Sequence, residues 1–169
     1  MELLTTVNPK ALKSKPFGYE TFIMHLAPAD RSGNNVCSHS SEGCRAACLN
    51  TSGRGCYQRT QNARIRRTKI FFEDRAEFLA LLIADIYTGI RRAKSHNLTP
   101  CFRLNGTSDI PFERVKIPGT ENTIFDMFPT VQFYDYTKIP GRIVPANYHL
   151  TFSRSESNEN DVTREYLSG

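Results

Sequence analysis

Four short runs rich in β-branched and aromatic residues, "ETFIMHLAP", "TPCFRL", "TVQFYDYTK" and the stretch from Tyr148 to Ser153, alternate with helical or long irregular segments. Strands joined by such crossovers lie parallel, with helices covering the sheet, and the crossovers turn right-handed. The expected fold class is therefore α/β: a partial (β/α) barrel or a small, mostly parallel sheet covered by helices. About four strands are too few for a closed eight-stranded barrel. Two helices stand out between the first and second strands. "YQRTQNARIRRTKIFFEDR" has few breakers and offers Ala63, Ile65 and Ile70 as core contacts. "DRAEFLALLIADIYTGIRRAKSHN" repeats Phe78, Leu81, Leu82, Ile86 and Ile90 at helical spacing, with Asp74 as N-cap and Asn97 as stop. A third, short helix is expected near Ile124 to Phe128.

At 169 residues the chain is long enough to bury one core, and 39% hydrophobic with 23% charged residues is a globular composition. One domain is expected over 1–169, with a polar arm at 1–18 and a polar, flexible tail at 155–169. No apolar run approaches the roughly 20 residues that span a bilayer, and the N-terminus lacks the apolar centre of a signal peptide. The expected location is the cytoplasm, without membrane partners.

That compartment bears on "NVCSHSSEGCRAACLNTSGRGC", which holds four of the five cysteines. Clustered cysteines in a reducing environment point to metal or redox chemistry before disulfides. Six residues separate Cys37 from Cys44, three separate Cys44 from Cys48, and seven separate Cys48 from Cys56. Zinc knuckles use closer pairs, whereas iron–sulfur clusters accept more varied spacing on loops. The metal-ligand candidates are Cys37, Cys44, Cys48 and Cys56, with His39 as an alternative ligand. An iron–sulfur cluster is expected first and zinc second. Cys101 reads as a buried small hydrophobe.

Ligands of parallel α/β folds bind at the carboxyl ends of the strands. There the sequence places "NGTSD", "YDYTK" and "SRSESN" beside the cysteine loop. Asn105, Ser108, Asp109, Asp135, Ser153 and Arg154 are the candidates for binding a cofactor or substrate. The alternative for each cluster is an ordinary turn or helix cap. No catalytic nucleophile can be assigned.

The net charge of +5 is concentrated in "RGCYQRTQNARIRRTK". Arg59, Arg64, Arg66 and Arg67 are candidates for contacting an anionic partner, nucleic acid or nucleotide. The plainer alternative is a solvated helix face.

"NVCSHSSEGCRAACLNTSGRG", "ARIRRTKIFFEDRAEFL", "RLNGTSDI", "VQFYDYTK" and "NYHLTFSRSESN" resemble an uncharacterised family of tailed-phage proteins. Its members continue beyond the last strand, where this chain ends at Gly169. The resemblance implies a phage protein in an infected bacterial host and carries no activity. More distantly, a first strand followed by a three-cysteine loop resembles the radical S-adenosylmethionine enzymes. That likeness implies a four-iron cluster on Cys37, Cys44 and Cys48, with S-adenosylmethionine on the remaining iron. Cysteine spacing wider than in those enzymes, and Ala47 before the third cysteine, depart from their pattern. Two other functions compete: a zinc-stabilised, non-enzymatic nucleic-acid-binding protein, and a phage inhibitor that binds a host enzyme.

Overall fold

The computed structural model describes residues 1–6 and 9–168. Its centre is a five-stranded open sheet of β1 (Leu4–Thr5), β2 (Tyr19–Met24), β3 (Thr99–Arg103), β4 (Gln132–Thr137) and β5 (Tyr148–Phe152), in the spatial order β1-β2-β3-β4-β5. Only β1 runs antiparallel to its neighbour; β2 to β5 are parallel. The helices are α1 (Pro9–Leu12), α2 (Glu42–Ala46), α3 (Gln58–Glu73), α4 (Arg75–Ser95), α5 (Ile124–Met127) and α6 (Glu159–Ser168). The α/β class read from the sequence holds, in the form of a small, mostly parallel sheet with two free edges.

One row of aromatic side chains crosses the sheet. Phe22 registers with Phe102, Phe102 with Phe133, and Phe133 with Tyr148. Phe22 and Phe102 stack at 5.0 Å, and Phe125 of α5 stacks on Tyr148 at 4.3 Å. The row packs under α4, whose Phe78, Leu79, Leu82, Ile86, Gly89 and Ala93 are buried. Along β4 the two faces alternate: Phe133, Asp135 and Thr137 are buried on the covered side, whereas Gln132 and Tyr136 on the opposite face are exposed. A parallel strand is ordinarily covered on both faces, so this open face is a departure that leaves room for a ligand.

Asp74 caps α4 as expected, its carboxylate accepting the Glu77 N–H at 2.9 Å. Asn97 ends it in the left-handed region at φ 55°, with the Leu98 N–H returning to the Ala93 carbonyl at 2.9 Å. That is the Schellman closure, which Asn tolerates better than most residues.

Three expectations are refined. Ile70 packs against the core as expected, but the buried residues of α3 are Arg64, Thr68 and Phe71, and Ala63 and Ile65 are only partly covered. The arm at 1–18 contains β1; Leu4 of that strand and Leu3 before it are buried, and their N–H groups donate to Asp85 of α4 at 3.0 and 2.6 Å. The polar tail from Ser155 carries the helix α6, for which the sequence reading named no element. Positions 7–8 of the arm and 169 of the tail lie outside the described residues.

Candidate functional site

The carboxyl ends of the parallel strands and the cysteine loop together wall a cleft of about 800 Å³. Its position follows from the β3–β4 ladder, which registers only Cys101 with Gln132 and Phe102 with Phe133. Beyond that point the Leu104 and Asn105 N–H groups donate to the Asp135 carboxylate instead, at 3.1 and 2.9 Å. The residues after β3 then turn back towards β2. Gly106 N–H donates to the Met24 carbonyl at 2.9 Å and Thr107 Oγ1 to the Leu26 carbonyl at 2.6 Å. A Cβ on Gly106 would lie 2.5 Å from the Met24 carbonyl oxygen, so only glycine permits this approach.

The same turn anchors the start of the cysteine loop. Asp109 N–H donates to the Val36 carbonyl at 2.8 Å, and the Cys37 thiol lies 3.8 Å from the Thr107 carbonyl. The far end of the loop is held by α3. Arg64 Nη1 donates to Asn50 Oδ1 at 2.5 Å, and Gln61 Nε2 donates to the Asn50 carbonyl at 2.7 Å. A third tie comes from the other rim, where Gly43 N–H donates to Glu156 Oε1 at 2.8 Å. Asn50 is fully buried, so the loop is a built structure rather than loose chain.

Cys37, Cys44 and Cys48 all line the cleft, and all three are free thiols. Burial pushes the Cys37 thiol up to about 11, with smaller contributions from Asp109, Cys48 and Cys44. The other two metal candidates are elsewhere. Cys56 is exposed and donates to the Gly53 carbonyl, and His39 is exposed beside Ser38. Neither lines the cleft. Among the described residues no three His, Cys, Asp or Glu side chains converge on a single point as the ligands of one ion would.

Five of the six expected rim residues line the cleft: Asn105, Ser108, Asp109, Ser153 and Arg154. Several have their polar atoms engaged already. Asn105 Oδ1 accepts from Ser108 Oγ and the Ile110 N–H, and its amide donates to the Ile110 carbonyl. Asp109 accepts from Thr137 Oγ1, the Lys138 N–H and Arg142. Both residues shape the floor of the cleft more than they offer it free hydrogen-bonding groups.

Asp135 is the exception, fully covered beneath the floor. Burial pushes its carboxyl up to about 7, against the opposing pull of Arg103, the Leu104 and Asn105 amides and the Tyr148 hydroxyl. Its Oδ1 lies 3.4 Å from Arg103 Nε, within ion-pair distance but without hydrogen-bond alignment, because the same Nε is a buried donor with no partner.

The basic candidates do not form one surface. Arg64 is buried in its clamp on Asn50, and Arg67 turns back to the Glu2 carbonyl at 3.1 Å. Arg59 and Arg66 remain exposed, seven residues and so nearly two turns apart on α3. None of the four lines the cleft.

Sequence reading passed over Lys13 and Arg103 as site residues, although both line the cleft; Tyr134 and Tyr136 line it too, in keeping with the strand end at which "YDYTK" lies. Arg103 was legible as the one charge in the apolar run "PCFRL". Lys13 carried no signal, because only the fold lays the arm against β2, where Thr21 Oγ1 donates to Ser14 Oγ at 2.8 Å. Also unforeseen was Arg142, whose guanidinium is paired with both Glu113 carboxylate oxygens at 3.0 and 2.6 Å below the rim.

No described helix is long and apolar enough to cross a membrane. A family model described as Gene product 88 matches residues 2–169, consistent with the phage-protein resemblance. No curated protein and no solved structure matches the chain.

Proposed function

For this chain, which belongs to the Gene product 88 family, we propose an iron–sulfur-cluster-dependent enzyme acting on an anionic substrate of the nucleotide or nucleic-acid class in the host cytoplasm. The observation that carries this reading is the division of the loop cysteines. Cys37, Cys44 and Cys48 face one cleft, while Cys56 and His39 do not. Three thiolates and an adjoining cavity suit a cluster with one iron left for an exchangeable ligand, and S-adenosylmethionine is the first candidate for that place.

The donor set fits the group. The three proposed ligands are all sulfur, and they line one wall of the cleft. A cluster spreads its thiolates over different irons, whereas zinc draws four ligands round one centre. When bound, the cluster would supply one-electron chemistry at the cleft. The chain's own residues do the rest: Arg64 and Gln61 hold the loop, Glu156 ties it to the β5 rim, and the Asn105–Asp109 turn sets the depth of Cys37.

Anaerobic purification followed by iron, sulfide and zinc analysis tests this. Iron and sulfide together, with broad visible absorbance lost in Cys37→Ala, Cys44→Ala and Cys48→Ala but kept in Cys56→Ala, is the expected result. Stoichiometric zinc without colour would replace it with the zinc-stabilised module. Loss of the metal in Cys56→Ala alone would break the assignment of ligands.

A further inference from the structure

Four cations line the cleft, Lys13, Arg103, Lys138 and Arg154, against two acids, Asp109 and Glu156. Both acids are spent within the protein. Asp109 accepts the Lys138 N–H at 2.7 Å and Thr137 Oγ1 at 2.8 Å, and Glu156 accepts the Gly43 N–H. The cations are less evenly matched. Arg154 pairs with Glu159 at 2.8 Å on the exposed rim. Lys138 is half-buried, and its ammonium donates to the neutral Ser153 Oγ at 2.8 Å. Among the described residues no carboxylate lies within ion-pair distance of Lys13 or Lys138. The half-buried Lys138 ammonium is balanced at longer range by Glu156 but has no direct ion pair, and Lys13 is exposed, so an anion arriving in the cleft gains a charge-assisted contact with both.

Beside these cations stands a flat apolar wall. Tyr134 and Tyr136 are two residues apart on β4 and so share the uncovered face of the sheet. Tyr136 is 48% exposed, with the Arg103 guanidinium 4.9 Å from its ring centroid. Aromatic faces open to a cavity accept planar rings, and every nucleobase has such a face.

We propose that this cleft binds a mononucleotide, with its phosphate on Lys138 and Lys13 and its base against Tyr134 and Tyr136. The volume argues for a single nucleotide, since clefts of about 300–1,000 Å³ hold one small ligand and this one measures about 800 Å³. A strand of nucleic acid needs a basic track running on past the site. Here α3 does not provide one, because Arg64 and Arg67 are committed to Asn50 and Glu2. A mononucleotide thus names the substrate class of the enzyme proposed above and rests on that reading for its chemistry. Binding itself depends on the cleft walls and not on the metal.

Isothermal titration of the full chain, as purified and again after reconstitution with iron and sulfide, tests both separately. The probes are the four common nucleoside 5′-monophosphates, their nucleosides, ribose 5-phosphate and a single-stranded oligonucleotide of mixed sequence. At least one monophosphate binds, and its nucleoside and ribose 5-phosphate bind about tenfold or more weakly. Lys138→Ala weakens binding about tenfold and Lys138→Arg restores most of it, as loss and return of a charge-assisted contact predict. Tyr136→Ala weakens it about fivefold, and Arg59→Ala with Arg66→Ala leaves it unchanged. Thermal melting of each variant separates lost binding from lost fold; a variant that does not fold is replaced by Lys138→Gln or Tyr136→Leu.

The inference is overturned if no monophosphate binds, if ribose 5-phosphate binds equally well, or if the oligonucleotide binds more tightly and through Arg59 and Arg66. Nucleotide binding by a chain that assembles no cluster would sustain it while removing the cluster. A cluster without nucleotide binding would do the reverse.

Discussion

Arg64 Nη1 donates to Asn50 Oδ1 at 2.5 Å, so an arginine in the most basic stretch of the chain points inward and holds the cysteine loop. Asn50 is fully buried, and Arg64→Ala would leave its side-chain oxygen without this donor. A buried acceptor stripped of its partner costs about 1–3 kcal/mol. Arg64→Ala is expected to lower stability by that amount in urea unfolding and to reduce iron loading. Arg66→Ala, on the exposed side of the same helix, should do neither. Equal effects of the two would mean that Arg64 acts only as surface charge.

Why Arg64 was read as a phosphate contact is clear from α3 itself. A run of basic residues shows charge but not direction, and an arginine in a core position breaks the apolar periodicity that would reveal the buried face. The buried residues Arg64, Thr68 and Phe71 recur at helical spacing, yet only Phe71 is apolar. The helix α4 was legible because Phe78, Leu82 and Ile86 keep that periodicity and Asp74 and Asn97 mark its ends. The cleft was legible in outline, since polar clusters after several strands must meet if the strands are parallel. Tyr134 and Tyr136 came with that outline, but Lys13 and the open face of β4 did not, because which face stays open depends on where the arm and the helices pack. The two-residue β1 and the polar α6 lie below what pattern can show.

Gly89 is the point where α4 passes closest to the aromatic row. A Cβ there would lie 2.9 Å from Phe102 Cε1 and 3.1 Å from Phe22 Cε1. Alanine gains up to about 1 kcal/mol of helix propensity over glycine, but overpacking a core costs about 1–3 kcal/mol. Both rings are buried and stacked at 5.0 Å, which leaves them little room to move apart. Gly89→Ala is therefore expected to destabilise the protein by about 1 kcal/mol. A rise in the unfolding midpoint would show that the two rings can yield.

Cys37 should be slow to react even though it faces the cleft. Burial holds its thiol at about 11, so little thiolate is present near neutral pH. In the metal-free protein iodoacetamide is expected to label Cys56, which is exposed, about tenfold faster than Cys37. Labelling of Cys37 should then climb steadily as the pH rises towards 11. Metal binding requires the same proton to leave, so cluster loading should improve between pH 6.5 and 8.5, in proportion to the thiolate available. Mass spectrometry of peptides after timed labelling reads the first effect. Labelling of Cys37 as fast as Cys56 would place it at the surface.

Asp135 should make the fold sensitive to pH across the neutral range. Its carboxyl is pushed up to about 7 by burial, while an unfolded aspartate titrates near 4. Between those values the native state keeps a proton that the unfolded state has lost, so stability falls as pH rises. The contribution is fully present below about pH 4, declines by up to a few kcal/mol towards pH 7, and is constant above it. Asp135→Asn removes the titration but sets an amide N–H against the Leu104 or Asn105 N–H, both of which donate to the carboxylate. The variant should be less stable than the natural protein at pH 5 and lose less stability than it between pH 5 and 8. Urea midpoints of both proteins at the two pH values test this. Parallel lines would mean that Asp135 stays ionised in the native state, paired with Arg103 across 3.4 Å.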